Sequence, residues 1–408
     1  MAEKRVLVIG SGVAGLSAAL DLAAAGVEVD VVEQYEFAGG QGIRLSCKAT
    51  ETCVKCGACM AGDRLGRALR HPRIRLMTGS SIEATDRNGR FAFQIRRKPE
   101  FIDPSKCNAC GICYKQCPAE GAIIQGTSGH HRPFFAISEK VCLYLKDKSC
   151  TACRDSCPMS AINLDAMKQT ELTQADAVIV AAGFSTYRPY EKPYGYGVFP
   201  NVVTNQELEA ILKRHGRVLR PSDHTEPGRI AFIQCVGSRD TKLGHLWCST
   251  YCCGSALRLA RLIGHRQPQI QTTLFYIDIQ TFGRTIESYY KETKEKIRMI
   301  RSIPGDIYPS ENKGLKMTYL DPMTADTLQE DFDLIVLSVA MMPPAGLEGI
   351  LKMFHLDRIA DGFLSLSEDT ARQGIFAAGA VTGPMPLAEA AASGSKAAWQ
   401  SICYLKTA

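Results

Sequence analysis

Sixteen of the seventeen cysteines in this 408-residue chain fall into four sets of four. They are Cys47, Cys53, Cys56 and Cys59; Cys107, Cys110, Cys113 and Cys117; Cys142, Cys150, Cys153 and Cys157; and Cys235, Cys248, Cys252 and Cys253. Only Cys403 is left over, and it reads as a buried helix cysteine without a role. Four thiolates are what one [4Fe–4S] cluster takes, so the pattern predicts four clusters. A strand begins at Arg5, which leaves no room for a secretion signal, and a cytoplasmic setting is expected. In a reducing compartment such spacings mean metal or redox chemistry rather than disulfides.

The formal charge of +6 counts every cysteine as a neutral thiol. An oxidised cluster with its four thiolates carries about −2, so four bring about −8 and leave the holoprotein near −2. The basic excess therefore reads as compensation for clusters and cofactor phosphates. No dense Lys/Arg block interleaved with aromatics suggests nucleic acid. No apolar run approaches the ~20 residues of a membrane span.

The N-terminus carries a complete βαβ pattern: a strand over 5–9, Gly10-Ser-Gly12-Val13-Ala14-Gly15, a helix over 15–25, and a strand over 28–32 ending at Glu33. The glycines allow a sharp turn and close approach of a pyrophosphate to the helix N-terminus, and Glu33 is placed for ribose hydroxyls. Gln34, Gly39, Gly40 and Gln41 follow and are expected at the same dinucleotide, as is Gly183, where the strand over 177–182 ends. Strands are also predicted over 74–77 and 91–97.

Residues 98–168 interrupt this α/β pattern. Cys107-x-x-Cys110-x-x-Cys113-x-x-x-Cys117-Pro118 is the bacterial ferredoxin run, whose first three cysteines hold one cluster while the fourth reaches to the other. In the second half, Cys150, Cys153 and Cys157-Pro158 keep their places, but Asp147 stands at the expected first position. Cys142, five residues upstream of it, can supply the thiolate through a longer loop; Asp147 as an oxygen ligand is the alternative. Cross-ligation then groups Cys107, Cys110, Cys113 and Cys157 in one cluster, and Cys142, Cys150, Cys153 and Cys117 in the other. The first set, around Cys53-x-x-Cys56-Gly-Ala-Cys59, has ferredoxin-like spacing without Cys-Pro, and zinc is its rival ligand.

After a helix predicted over 205–214, a second α/β unit opens with a strand over 229–234 and continues through a helix over 255–263 and strands over 272–279 and 333–338. Its first strand leads into Cys235-Val-Gly-Ser-Arg-Asp240, where a nicotinamide domain would carry its glycine fingerprint. The loop for NAD pyrophosphate has become a cysteine site. The chain thus divides into 1–97 and 169–224 (dinucleotide domain, with the first cysteine loop), 98–168 (ferredoxin insert), 225–345 (degenerate NAD-type domain with the fourth set), and 346–408. The last part returns to the first domain through Gly379-Ala380 and a long helix over 387–404.

With these residues in view, the chain resembles the A subunit of heterodisulfide reductase. The resemblance is most specific at Arg220-Pro-Ser-Asp223, at Ile233-Gln-Cys-Val-Gly-Ser-Arg-Asp240 and at Tyr251-Cys-Cys253. It implies an α/β, thioredoxin-reductase-like flavoprotein with two dinucleotide domains and an inserted two-cluster ferredoxin module, binding FAD. It further implies an electron-transfer subunit of a larger cytoplasmic oxidoreductase complex in an anaerobe, with ferredoxin as a possible partner and a homodimer as a possible assembly. In the best known members the flavin bifurcates electron pairs. Relatives serve quinone-interacting oxidoreductases and class II benzoyl-CoA reductase complexes. By the same resemblance Arg258 and Glu207 face the flavin, and Gly379-Ala380 replaces the Gly-Asp of other flavoproteins. The sequence is shorter than its methanogen counterpart, and its first set has four cysteines where fewer are expected. A free-standing NAD(P)H-dependent reductase and a non-catalytic iron–sulfur adaptor are the competing functions.

Overall fold

The computed structural model describes residues 4–280, 286–310 and 314–407. Its N-terminal lobe is built on a five-stranded parallel sheet in the order Ile375–Ala377, Ala177–Val180, Arg5–Ile9, Glu28–Val32, Ile74–Met77. These strands are apolar on both faces, as parallel strands covered on both sides must be. Alternation decides which side chain goes where. Val6 and Val8 join Ala18 and Leu22 of the helix Val13–Ala24 and Ala397 and Ala398 of the helix Leu387–Thr407. Leu7, between them, joins Phe91, Phe93 and Ile95 on the opposite face. That face is covered by an antiparallel sheet of Ser80–Asn88, Arg90–Arg97 and Gln169–Ala175, and by the helix Leu347–Phe354.

The second lobe repeats this plan. Its parallel sheet runs Val202–Thr204, Leu334–Val339, Arg229–Val236, Gln271–Phe275, Arg298–Ile300. Helices Asn205–His215 and Cys252–Arg266 pack on one face. A three-stranded antiparallel sheet, Ile307–Pro309, Leu315–Leu320 and Thr327–Phe332, packs on the other. The sequence pattern did not reveal this meander. It also placed the lobe boundary too late, because Val202–Thr204 and its following helix belong to the second sheet and not to the first lobe. That helix starts on a reciprocal cap between Thr204 and Glu207 and stops at Gly216 in the left-handed region. The helix expected over 255–263 begins earlier, at Cys252, and the strand expected over 272–279 ends at Phe275.

The insert enters and leaves at one point. Arg97 stands opposite Gln169 in the antiparallel sheet, so residues 98–168 emerge from the end of a hairpin without disturbing the lobe. Within it an isolated bridge joins Ile102 to Ile162, and the strands Ile123–Gln125 and Phe135–Ile137 form a hairpin. Its own small core contains Phe101, Ile123, Phe135, Ile137 and Leu164 together with Cys113, Cys142 and Cys153. Cys403 is exposed on the final helix, not buried: it faces away from the apolar stripe that packs on the first sheet. Among the described residues no helix is long and apolar enough to cross a membrane.

One buried carboxylate ties the first lobe together. Asp30 accepts from Arg5, from both Arg75 Nε and Nη2 at 2.9 Å, and from Thr173 at 2.9 Å, which links three strands of the parallel sheet to the antiparallel layer. Burial pushes its carboxyl up, but the bonds and charges of Arg75, Thr173 and Arg5 outweigh this and hold it below the usual range. Asp30→Asn should cost about 2 kcal/mol at neutral pH, read from urea-unfolding midpoints. Because the folded value is depressed, the wild-type advantage is whole above the unfolded value of about 3.9 and disappears as pH falls through the folded one. A gap between the two proteins that persists in acid would contradict this.

Candidate functional site: a dinucleotide cavity walled by cysteine loops

The first strand ends at Gly10, in the left-handed region at φ +105°, and a Cβ there would lie 2.3 Å from the Ala181 carbonyl oxygen. A Cβ on Gly15 would lie 2.0 Å from the Gly10 oxygen, so helix and strand pack at a distance only glycine permits. Gly12 differs: nothing lies within 4 Å of its Cβ position, and it opens onto a cavity of about 1780 Å³. Val13, Ala14, Glu33, Gln34, Gly40, Gln41, Gly183 and Ala380 line the same cavity. Gly39 and Gly379 stand behind this wall, Gly39 donating to the Ser11 carbonyl and Gly379 packed against the Ala14 methyl.

Glu33 is buried and accepts from Ser11 N at 2.9 Å, Ser11 Oγ at 2.6 Å and Tyr35 N at 3.0 Å. A carboxylate has about four acceptor positions, so capacity for ribose hydroxyls remains. Gln41 Oε1 is buried without a partner, a group that a bound ligand could satisfy. An open helix N-terminus beside a glycine turn, a buried acid and an orphaned amide fit a dinucleotide such as FAD.

Three of the four cysteine sets converge. Burial and the charges of Cys107, Cys110 and Cys157 push the Cys113 thiol up to about 11. Burial and the charges of Cys142, Cys117 and Cys113 do the same to Cys153. Cys157 therefore stands with the first half of the insert and Cys117 with the second, the exchange that the ferredoxin pattern predicts. Asp147 is exposed and accepts instead from its neighbour Ser149 at 3.0 Å. In the second lobe burial, with Cys253 and Cys248 nearby, pushes Cys235 up to about 12. Cys252 is raised by its hydrogen bond to Cys253, by burial, and by the charges of Cys253, Cys235 and Cys248. Thiols that disfavour one another's ionisation this strongly are a donor set for a cationic iron–sulfur core, which offsets the charge. Among the described residues no three such side chains close on one point as a single ion requires.

The backbone around the thiols is specialised. Cys235 holds φ +58° and Thr250 φ +58°, unusual for residues with a Cβ. Thr250 N points at Cys248 Sγ (3.3 Å), Lys55 N at Cys53 Sγ (3.4 Å) and Ala161 N at Cys157 Sγ (3.4 Å). The first set is the more open: Cys47, Cys53 and Cys59 are exposed. Yet its loop matches the ferredoxin loop in conformation. Lys55 (φ +48°) and Gly57 (φ +79°) flank Cys56 as Ala109 (φ +60°) and Gly111 (φ +77°) flank Cys110.

Arg258 and Glu207 both reach the cavity. Glu207 is already engaged: Oε2 caps the helix at Thr204, and Oε1 accepts from Tyr196 Oη at 2.9 Å. Arg258 donates to Gly254 O at 3.0 Å and lies over the Tyr289 ring, but its Nε is buried without a partner.

Sequence reasoning missed the groups that hold the loop after Gly40. Lys48 and Glu209, both buried, form an ion pair; Glu209 also accepts from Ser46 N and Oγ, and Lys213 donates to the Ile43 carbonyl. Burial, with Lys48 nearby, lowers the Lys213 ammonium despite Glu209. No motif marks these residues; only the position of Lys48 next to Cys47 hints at them.

Two outcomes follow from this geometry. Cys142→Ser should lose about four irons per chain relative to wild type, whereas Asp147→Ala should lose none, by iron and sulfide analysis. Lys48→Met, which strands a buried carboxylate, should destabilise by about 3–5 kcal/mol in urea unfolding, and adding Glu209→Leu should recover part of the loss.

The comparisons with known proteins agree with this site. Residues 5–46 match the FAD dependent oxidoreductase family, and residues 100–121 match the 4Fe–4S binding domain. Thioredoxin reductases from T. acidophilum and Lactococcus lactis share the fold, each with TM-score 0.54 and covering 99% of this chain, at 15% and 16% identity. The match takes in 99% and 100% of those two chains respectively. The A subunit of the H(2):CoB-CoM heterodisulfide,ferredoxin reductase of Methanothermobacter marburgensis is 33% identical across 97% of this chain. An iron–sulfur A subunit of the CoB–CoM heterodisulfide reductase of Methanopyrus kandleri is 36% identical across 98%. This chain spans 63% and 64% of the length of those two proteins. Across nearly all its residues the chain is similar to heterodisulfide reductase A subunits, it carries FAD-dependent oxidoreductase and 4Fe–4S matches, and it has a thioredoxin-reductase-like fold.

Proposed function

We propose that this chain is an FAD- and iron–sulfur-containing electron-transfer subunit of a multisubunit cytoplasmic oxidoreductase, with four [4Fe–4S] clusters and a ferredoxin-type protein among its partners. When bound, FAD exchanges electrons in pairs and each cluster exchanges them singly, so a chain holding both links two-electron to one-electron chemistry. The observation that carries this reading is one shared wall. Gly12 of the dinucleotide turn, Cys56 of the first cysteine set, and Gly126 and His131 of the insert all line a single cavity.

The chain's own residues have distinct parts in this. Gly12 leaves room for phosphate at the helix N-terminus, and Glu33 holds the turn while offering acceptors to a ribose. Arg258 lines the cavity and supplies positive charge there, suited to an anionic ring system. The amides of Lys55, Thr250 and Ala161 aim N–H dipoles at the sulfurs of Cys53, Cys248 and Cys157, the arrangement that offsets the charge of a cluster. The backbone match between the loops around Cys56 and Cys110 supports a cluster, in preference to zinc, at the first set.

Splitting electron pairs between two acceptors belongs to this reading, as do the heterodisulfide, ferredoxin and hydrogen couples that the relatives' names carry. The NAD(P)H-reductase alternative is disfavoured by the second lobe. There Cys235 occupies the turn after the first strand, and the Tyr187 ring packs so close to Gly237 that a Cβ would lie 2.3 Å from it.

Anaerobic reconstitution followed by iron, sulfide and flavin quantitation and a redox titration tests the proposal. About sixteen irons and one FAD per chain, with clusters reducible at low potential, are expected. Eight irons or fewer, or zinc in their place, would remove the first and fourth sets from the relay. Absence of FAD would sink the flavoprotein reading altogether.

A further inference from the structure

The insert touches the dinucleotide lobe at a second place besides its hairpin exit, where Lys98 already bonds the Gln34 carbonyl and Glu36. Between its two short strands, Ile123–Gln125 and Phe135–Ile137, the chain makes a long tip, residues 126–134, instead of a tight turn. This tip separates the two cysteine runs and contains none of their ligands. It folds back and becomes part of the cavity wall.

Two successive histidines pin it. His131 is buried, and its Nε2 lies 2.9 Å from the Ala38 carbonyl oxygen. A carbonyl only accepts, so Nε2 carries the hydrogen and donates. The same ring stacks on Phe37, centroids 4.8 Å apart and planes 19° from parallel. Phe37 and Ala38 directly precede Gly39 and Gly40 of the dinucleotide loop. His131 Nδ1 is turned toward Gly126, where a Cβ would come within 2.8 Å of it. His130 lies against Gly66 on the helix Met60–Ala68, which follows the last cysteine of the first set. The tip therefore rests on both edges of the loop that holds the first cysteine set.

We propose that the tip 126–134, anchored by His131, is a positioning latch that fixes the two-cluster insert against the dinucleotide loop and so sets the flavin-to-insert separation. Without it the insert is held by the hairpin exit at Arg97 and Gln169 and by the partly exposed Lys98–Glu36 pair beside it, a hinge about which it could swing. Electron transfer falls steeply with distance, and a docked insert is the arrangement that keeps the path short. His131 acts through Ala38 and is a positioning residue, not one that touches the reacting atoms. The inference rests on reading residues 107–157 as a two-cluster site.

The test compares wild type, His131→Leu, His131→Gln and Gly126→Ala, each loaded with FAD and clusters. Leucine fills the space but cannot donate; glutamine offers an N–H donor near the imidazole Nε2 position. Gly126→Ala displaces the ring without altering it. Losing one buried hydrogen bond corresponds to about a tenfold shift between docked and detached insert. Hydrogen exchange at 126–131 and 37–40 should rise about tenfold in His131→Leu and in Gly126→Ala, and flavin-to-cluster equilibration should slow, while His131→Gln restores both. The latch is overturned if His131→Leu and Gly126→Ala exchange and equilibrate as wild type does, or if glutamine restores nothing. The exchange readout needs no electron transfer, so a failure of the latch is distinguishable from a failure of the cluster reading, which iron content reports.

Discussion

The arrangement of the site depends on one buried ion pair, Lys48 with Glu209. Both side chains are almost wholly removed from water. Such a pair is stable only if its geometry is good and its remaining lone pairs are used, because desolvation of each ion costs several kcal/mol. Here Glu209 spends its second oxygen on Ser46 N and Oγ, and Lys48 donates also to the Ser46 carbonyl at 2.9 Å. The pair joins the segment bearing Cys47 to the helix Asn205–His215 of the second lobe. Lys213, one turn further on, reaches Ile43. The stretch 37–48 is thus held by the second lobe from one side and by His131 of the insert from the other. Three modules meet where the dinucleotide loop runs into the first cysteine set, and none of them can shift without disturbing it.

The thiols impose a second constraint. Burial and neighbouring thiolates push the Cys113, Cys153 and Cys235 thiols up, while a hydrogen bond from Cys252 lowers Cys253 to about 7. Raised thiols must give up their protons to act as ligands, so binding of a cationic core would be coupled to proton release. The insert illustrates the structural side of this. Its apolar core is small, and Cys113, Cys142 and Cys153 are counted within it. A module of that size leans on its metal much as small domains lean on disulfides.

Much of this was legible in the sequence because it is carried by short-range rules. The βαβ turn, the ferredoxin run and the cross-ligation pattern each place their residues through local spacing, and the structure brings together the thiols so grouped. Cys142 is buried, whereas Asp147 is exposed and accepts from Ser149, a difference of side-chain direction that spacing alone does not reveal. What the sequence hid is non-local. The meander over 307–332 has alternation on only one face and no motif. Val202–Thr204 is three residues long, and only its pairing with Leu334–Val339 assigns it to the second sheet. Glu207 looked free to face a ligand, but its two oxygens cap a helix and hold Tyr196. Lys48, Glu209 and His131 gain their meaning from partners 161, 163 or 93 residues away.

The two lobes apply one electrostatic device to different anions. In the first, the helix Val13–Ala24 begins at Gly12, whose open Cβ position leaves its unpaired N–H groups for a phosphate. In the second, the corresponding helix begins at Cys252 and Cys253, so the same positive end meets sulfur instead. The strand leading to it, Arg229–Val236, carries Cys235 next to its end, held at φ +58° at a cost of about 1–3 kcal/mol. A residue kept in that conformation against its preference implies that the position of its thiol matters more than local comfort. The Tyr251 hydroxyl, bonded to Asn205 and to the Val339 carbonyl, fixes the start of this helix to the neighbouring strand and helix. The second lobe thus keeps the dinucleotide architecture and places cysteines where the first lobe has its glycine turn and open helix N-terminus.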